Sequence, residues 1–263
     1  MKTQSPHLHI LLIAAIVPLL SHCSSGPKHA PKTAAATTGQ AKVDGKAAAD
    51  DNNDGYNTPL VADPAEPVNR GIFWANHQIY RYVFHPVSKA YRFVMPKLAR
   101  DSLYNVFDNA RYPIRVVNDT LQWRLERAGQ ETARFFVNST YGLGGLGRPA
   151  DRVPGLENVP AEDTGLTFAH WGIGNGPYIV LPILGPCTLR DGVGLIGDYG
   201  LNPVTWVGII WPYSWIIAIP TTNTVRALPR QMDAYDAATE NALDRYLAVR
   251  TAYIQYRNEA AAK

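Results

Sequence analysis

His170-Trp171-Gly172-Ile173-Gly174-Asn175-Gly176-Pro177-Tyr178-Ile179-Val180-Leu181-Pro182-Ile183-Leu184-Gly185-Pro186-Cys187-Thr188-Leu189-Arg190-Asp191 is strongly apolar, yet it fits no long regular element. Pro177, Pro182 and Pro186 each remove a backbone donor, and Gly172, Gly174, Gly176 and Gly185 weaken a helix or a strand. A central strand is excluded because Pro182 separates two apolar triplets. The segment therefore reads as irregular and bend-rich, with its backbone satisfied by neighbours. Such backbone suits protein lining a cavity at membrane depth.

The N-terminus points to the same environment. Lys2 precedes an apolar run from Ile10 to Leu20 that is too short to span a bilayer, which marks residues 1–22 as a secretory signal. Leu20-Ser21-His22-Cys23 is similar to a lipobox, whose processing leaves Cys23 as the first residue, carrying diacylglyceryl and N-acyl groups. Cys187 is the other cysteine, so lipidation of Cys23 leaves no intramolecular disulfide. Residues 23–61 are poor in large apolar side chains and read as a flexible tether. A net charge of +3 with 18% charged residues lacks the concentrated basic face that nucleic acid requires.

Roughly 200 residues remain, enough for one folded domain over 62–257, with a frayed tail at 258–263. Asp63-Pro64-Ala65-Glu66 has the composition of a helix start, with Asp63 as cap and Glu66 reaching back. Val68, Ile72, Phe73, Ile79, Tyr80, Val83 and Phe84 follow at helical spacing until Pro86 ends or kinks the run. Pro96 and Pro113 open further helices, and Gly129 separates the second of these from a helix through Val137. Thr188-Leu189-Arg190-Asp191 resembles a capping box for a helix toward Asp198. Val204 to Pro220 is uncharged, is broken by Pro212, and carries Trp206, Trp211 and Trp215, which suits a membrane interface. From Leu228 to Ile254 the spacing predicts one amphipathic helix.

Catalytic chemistry is poorly represented. Gly142-Leu143-Gly144-Gly145-Leu146-Gly147 spells a dinucleotide fingerprint, but Arg148-Pro149 follows where a helix should open, so it reads as a turn. Ser139, His170 and Asp163 could be drawn as a hydrolase set, but Ser139 lies outside a Gly-x-Ser-x-Gly elbow. His77 and His85 lack metal-ligand spacing. No enzyme, metal or cofactor is indicated.

Three motifs occur in order: Asp63-Pro64-Ala65-Glu66-Pro67-Val68-Asn69-Arg70-Gly71-Ile72-Phe73, then Arg134-Phe135-Phe136-Val137-Asn138-Ser139-Thr140 with Gly142-Leu143-Gly144-Gly145, then Leu189-Arg190-Asp191-Gly192. Together they resemble the VacJ/MlaA lipoproteins. The resemblance implies an all-α, ring-like array of short membrane-embedded and amphipathic helices with a central polar channel, plus the irregular Gly/Pro-rich segment. It implies a lipid-anchored protein in the periplasmic (inner) leaflet of a Gram-negative outer membrane. Such a protein removes mislocalised phospholipids from the outer leaflet and passes them to a periplasmic carrier, with a trimeric porin as partner. On that basis Asn69, Arg70 and Asn76 are expected to line or shape the channel. Gly172, Gly174 and Gly176 are expected as hinges or close-packing points, and Trp206, Trp211 and Trp215 at the membrane interface. The alternatives are a lipid-modifying outer-membrane enzyme using His170 and a structural, porin-associated anchor.

Overall fold

A computed structural model describes residues 61–157, 159–210 and 213–263. Cys23, the signal and tether up to residue 60, and Trp211 lie outside the described residues, as do the side chains of residues 207–217, including Trp215. The fold is predominantly helical with one β-hairpin. The helices are α1 (Glu66–Ile79), α2 (His85–Val94), α3 (Lys97–Ala110), α4 (Tyr112–Leu121), α5 (Leu125–Thr140) and α6 (Thr164–His170). After β1 (Tyr178–Leu181) and β2 (Gly185–Thr188) come α7 (Leu189–Leu201), α8 (Pro203–Ile210), α9 (Tyr213–Thr239) and α10 (Arg245–Ala261).

The hairpin corrects the expectation of an all-α fold with an irregular segment. Its register pairs Tyr178 with Thr188, Ile179 with Cys187, Val180 with Pro186 and Leu181 with Gly185. Pro182 does not interrupt a strand, because it lies in the turn, where Ile183 takes a φ of 67°. Helix α1 completes the pairing. The Asn69 amide donates to the Tyr178 carbonyl at 3.1 Å and accepts from Val180 N–H at 2.9 Å. One amide side chain thus stands in for a neighbouring strand. Asn76 serves the turn in the same way, donating to the Leu181 carbonyl at 2.9 Å and accepting from Ile183 N–H at 2.7 Å.

Several other boundaries differ from the sequence reading. Asp63 does not cap α1, whose cap position is Ala65 with no side-chain bond. It is instead drawn to Asn69 Nδ2 at 2.7 Å and to the Tyr246 hydroxyl. Pro86 neither ends nor breaks the helical path, because a π-helical turn over Tyr80–Phe84 joins α1 to α2. The wider turn relieves the clash of the proline ring with the preceding carbonyls. Gly129 lies inside α5, and the break falls at Trp123, an exposed residue in left-handed backbone with φ 58°. The predicted C-terminal helix is two helices, because Asp244 caps α10 by accepting from Tyr246 N–H at 2.8 Å and Leu247 N–H at 3.3 Å. Helix α10 continues past Asn258 to Ala261, and Asn175 Nδ2 donates to the Asn258 side-chain oxygen at 3.2 Å.

The apolar core is small. Tyr178 and Val180 of the hairpin meet Tyr246 and Ile254 of α10, with Ile72 and Phe73 of α1 at the margin. A second junction is built from backbone proximity rather than side chains. A Cβ added at Gly194 on α7 would lie 2.5 Å from Gly165 N and 2.8 Å from Gly165 Cα. Gly194→Ala is therefore expected to push α6 from α7 and cost about 1–3 kcal/mol. Gly200→Ala, where a Cβ would meet nothing within 4 Å, is expected to be neutral or slightly stabilising. Thermal unfolding in detergent, followed by circular dichroism, compares the two; equal midpoints would refute the close-crossing argument.

Candidate functional site

The side-chain distribution is inverted relative to a protein folded in water. Helix α5 buries Glu131, Arg134 and Asn138, while Leu125 and Phe136 on the same helix are exposed. Helix α7 buries Arg190, Asp191 and Asp198 and exposes Leu189, Val193 and Ile196, which recur at helical spacing. From α1 to α3 the exposed residues include Trp74, Tyr82, Phe93, Val94 and Leu98, the last four being over two-thirds exposed, whereas Asn69, Ser88 and Asn109 are buried. Among the described residues, buried polar and charged side chains outnumber buried apolar ones. A buried polar interior and a broad exposed apolar surface are the two informative departures from water-soluble packing. No helix among the described residues is long and apolar enough to cross a membrane.

The polar interior is organised around Arg257 of α10. Its Nη1 donates to Asp163 Oδ2 at 2.6 Å and its Nε to Asp191 Oδ2 at 2.9 Å. Its Nη2 donates to Asp191 Oδ1 at 2.8 Å and to Asp163 Oδ1 at 3.0 Å. One guanidinium fork therefore holds two carboxylates bidentately. Tyr253 adds a hydroxyl donor to Asp191 Oδ2 at 2.7 Å. Burial alone would lower the arginine's pKa, but the two carboxylates raise it overall. Burial likewise opposes ionisation of Asp191, and Arg257 outweighs it, holding that carboxyl below its usual range.

Local sequence explains how the fork is assembled. Thr188 caps α7 by accepting from Asp191 N–H, as the capping-box reading anticipated, and this fixes Asp191 in the first turn. Asp163 caps α6 through Leu166 N–H at 2.8 Å while its carboxylate also faces Arg257. Gly165 leaves space beside them, since a Cβ there would sit 2.6 Å from Asp191 Oδ1.

The network continues into α4 and α5. Thr164 Oγ1 donates to Asp198 at 2.7 Å, and Thr167 Oγ1 to Asn118 Oδ1 at 2.7 Å. Gln122 donates to Glu162 and to Thr167, both at 3.0 Å, and Arg127 Nη2 donates to Glu162 at 2.7 Å. Arg115 Nε bonds Glu131 at 2.6 Å, and Arg134 Nη2 bonds Asp151 at 2.8 Å. Burial and the nearby Asp163 push the Asp198 carboxyl up to about 6.

Asp119 is the least satisfied carboxylate of this network. It is fully buried, neither carboxylate oxygen has a hydrogen bond among the described residues, and Arg127 Nε stands 3.6 Å away. Burial pushes its carboxyl up to about 7 despite Arg127. A carboxyl whose folded pKa lies above its unfolded value contributes full stability only below the unfolded pKa. That contribution is lost as pH rises through the folded value. Asp119→Asn is therefore expected to gain in unfolding midpoint relative to the native chain as pH rises from 5 to 8. A pH-independent difference between the two melting curves would contradict the assignment.

The residues singled out in the sequence are not gathered at one point. Asn69 and Asn76 bind the hairpin. Arg70, half exposed, pairs with Glu66 and Asp244 at 2.7 Å each and lies over the Tyr246 ring. Gly172, with φ 84°, terminates α6 in a Schellman arrangement, with Ile173 N–H donating to the Phe168 carbonyl. Gly176 is a close-packing point, its added Cβ falling 3.2 Å from Leu189 Cβ, while Gly174 meets nothing within 4 Å. Trp206 is half exposed, and its indole N–H donates to the Gly200 carbonyl at 2.7 Å. Ser139, His170 and Asp163 do not form a catalytic set. Asp163 is committed to Arg257, and the Ser139 hydroxyl accepts from Asn109. No group of side chains suited to a metal occurs among the described residues.

Arg257 itself carried no sequence signal, because it sits at the margin of the expected frayed tail. A pointer was available in α5 and α7, where polar residues repeat with the same helical period as apolar ones.

The comparisons with known proteins agree with this architecture. The family described as MlaA lipoprotein matches residues 61–260. The Escherichia coli intermembrane phospholipid transport system lipoprotein MlaA is 34% identical over 197 residues, covering 74% of this chain and 76% of the relative. The protein of the same name from Haemophilus influenzae is 27% identical over 205 residues, covering 78% and 81%. A solved structure described as the structural basis for maintenance of bacterial outer membrane lipid asymmetry superposes with a TM-score of 0.63 at 31% identity, covering 76% of this chain and 99% of that one. The chain belongs to the MlaA lipoprotein family.

Proposed function

We propose that this protein removes phospholipids mislocalised to the outer leaflet of a Gram-negative outer membrane and passes them to a soluble periplasmic carrier. It acts in transport, and no bond of the lipid changes. Beyond the family membership, the inverted packing carries this reading. An exposed apolar belt matches hydrocarbon, while a charged interior offers a headgroup the polar contacts it would lose in lipid.

In this reading the helices form a ring in the inner leaflet around a polar channel, and acyl groups on Cys23 tether it there. The several acyl chains on one residue anchor the protein, and the exposed belt adds apolar contact with lipid. Asn69 and Asn76 shape the channel by holding the hairpin, and Arg70 does so by joining α1 to the start of α10. Gly172, Gly174 and Gly176 give the hairpin's approach its freedom to bend. Trp206, Trp211 and Trp215 sit at the membrane interface. A trimeric porin holds the ring in place. Phospholipid is cargo, and no cofactor takes part.

A strain lacking the gene tests the function. Outer-leaflet phospholipid, measured by a periplasm-excluded lipid-labelling reagent, is expected to rise and to return to normal on complementation with the native chain. Normal levels in the deletion strain would refute the transport role.

A further inference from the structure

Arg226 of α9 is 4% exposed, and no carboxylate bonds to it among the described residues. Its Nε donates to Asn223 Oδ1 at 2.8 Å, and Nη2 contacts the same oxygen, but Nη1 has no hydrogen-bond partner among the described residues. An arginine cannot shed its proton to escape burial, and an unpaired buried charge is costly. Aromatic faces offset part of that cost: the guanidinium lies 4.8 Å from the Tyr104 ring centre and 4.7 Å from that of Phe107. Arg230 lies over the same Tyr104 ring at 3.4 Å, so the neighbourhood gains positive charge. Asp101 faces Arg230, while Asp108 is engaged by Arg115 and Arg148.

Two further donors nearby are also unused. The Tyr91 hydroxyl on α2 and Arg100 Nε on α3 are buried without hydrogen-bond partners among the described residues. Helix α9 packs against both α2 and α3, and Arg100 and Arg226 both act electrostatically on the Tyr91 hydroxyl. Three elements thus bring an unpaired guanidinium N–H, a second guanidinium N–H and a phenol to one region, a donor set that lacks only an anion.

We propose that Arg226, Arg100 and Tyr91 form an anion-binding site for a phosphate group, occupied by the phosphodiester of a phospholipid headgroup. Two non-bridging oxygens suit a guanidinium fork and a hydroxyl donor. Phe93, Val94 and Leu98, which flank Tyr91 and Arg100 in sequence, are each over two-thirds exposed and offer a path for acyl chains beside the site. The occupant rests on the transport reading above; the donor set does not.

The test uses the full lipoprotein in detergent, with three probes: dihexanoylphosphatidylglycerol, inorganic phosphate, and dihexanoylglycerol, which keeps the chains and lacks the phosphate. The phospholipid is expected to bind and raise the thermal midpoint, and dihexanoylglycerol to leave it unchanged. Arg226→Gln removes the charge but keeps an amide donor for Asn223, and is expected to weaken phospholipid binding at least about tenfold. Tyr91→Phe deletes only the unused hydroxyl and is expected to weaken it severalfold, which keeps the test decisive if Arg226→Gln folds poorly. Arg226-dependent binding of inorganic phosphate as tight as that of the phospholipid would overturn the headgroup as occupant in favour of free phosphate. Equal phospholipid binding by the native chain and both variants would overturn the site. If the native chain returns outer-leaflet phospholipid to its normal level in the deletion strain while the variants bind normally, the site fails and the transport reading stands. If the native chain does not restore it, the transport reading fails whatever the variants bind.

Discussion

Arg257→Met is expected to lower stability by about 3–5 kcal/mol, because it leaves the buried Asp191 carboxylate and the largely enclosed Asp163 carboxylate without their shared cation. For a domain of this size that corresponds to a fall of roughly 6–20 °C in the unfolding midpoint. The loss comes from stranded charge more than from missing attraction, so two further outcomes follow. Lowering the pH should recover part of the deficit, since the buried Asp191 would take up a proton once Arg257, which holds its carboxyl down against burial, is gone. The triple variant Asp163→Asn, Asp191→Asn, Arg257→Met should be more stable than Arg257→Met alone, because asparagine keeps the α6 cap while removing charge. Chemical denaturation in detergent measures all three. An Arg257→Met variant within about 0.5 kcal/mol of the native chain would mean that the fork contributes no more than a surface ion pair.

Asn69→Ala is expected to cost about 2–4 kcal/mol and to loosen the hairpin. The side chain is 1% exposed, and truncation strands the Tyr178 carbonyl and the Val180 N–H with no route to water. Asp63 also loses a donor, although Tyr246 and Arg250 still face it. Asn69→Asp separates geometry from size: it can still accept from Val180 N–H but turns an oxygen toward the Tyr178 carbonyl and Asp63. It should therefore be no better than alanine. Asn76→Ala, on a half-buried residue, should cost about 1–2 kcal/mol. Amide hydrogen exchange at Val180 and Ile183 reports each site separately. Unchanged protection in both variants would show that the hairpin does not depend on α1.

The elements that were legible in the sequence are those set by neighbouring residues. Pro96 and Pro113 mark the starts of α3 and α4, Thr188 caps α7, and the glycine run after Tyr141 is a turn. The hairpin was not legible because its edge is completed by Asn69, 109 residues from Tyr178. A local reading sees Pro182 as a strand breaker and has no means of seeing the helix that supplies the missing pairing. Asp63 was misread for a similar reason: a local cap was outcompeted by Asn69 and Tyr246, the latter 183 residues away.

The candidate site was legible only through its motifs. Periodicity in α5 and α7 gives two faces, one with Glu131, Arg134 and Asn138 and another with Leu125 and Phe136, but it does not say which face turns inward. That choice belongs to the surrounding medium. In water the apolar face is buried; against lipid the polar face gains more by burial, because only there are its hydrogen bonds satisfied. Arg190 and Asp191 were visible in a motif, while their partner Arg257 enters from α10, 66 residues beyond Asp191.

The most direct measurement reconstitutes the full-length lipoprotein with a trimeric outer-membrane porin in asymmetric vesicles, adds a soluble periplasmic lipid carrier, and follows labelled phospholipid placed in the outer leaflet. Transfer of label to the carrier that requires the native chain, with the lipid recovered chemically unchanged, is the predicted result. Label that stays in the outer leaflet, or that reaches the carrier equally well without this protein, would contradict the account.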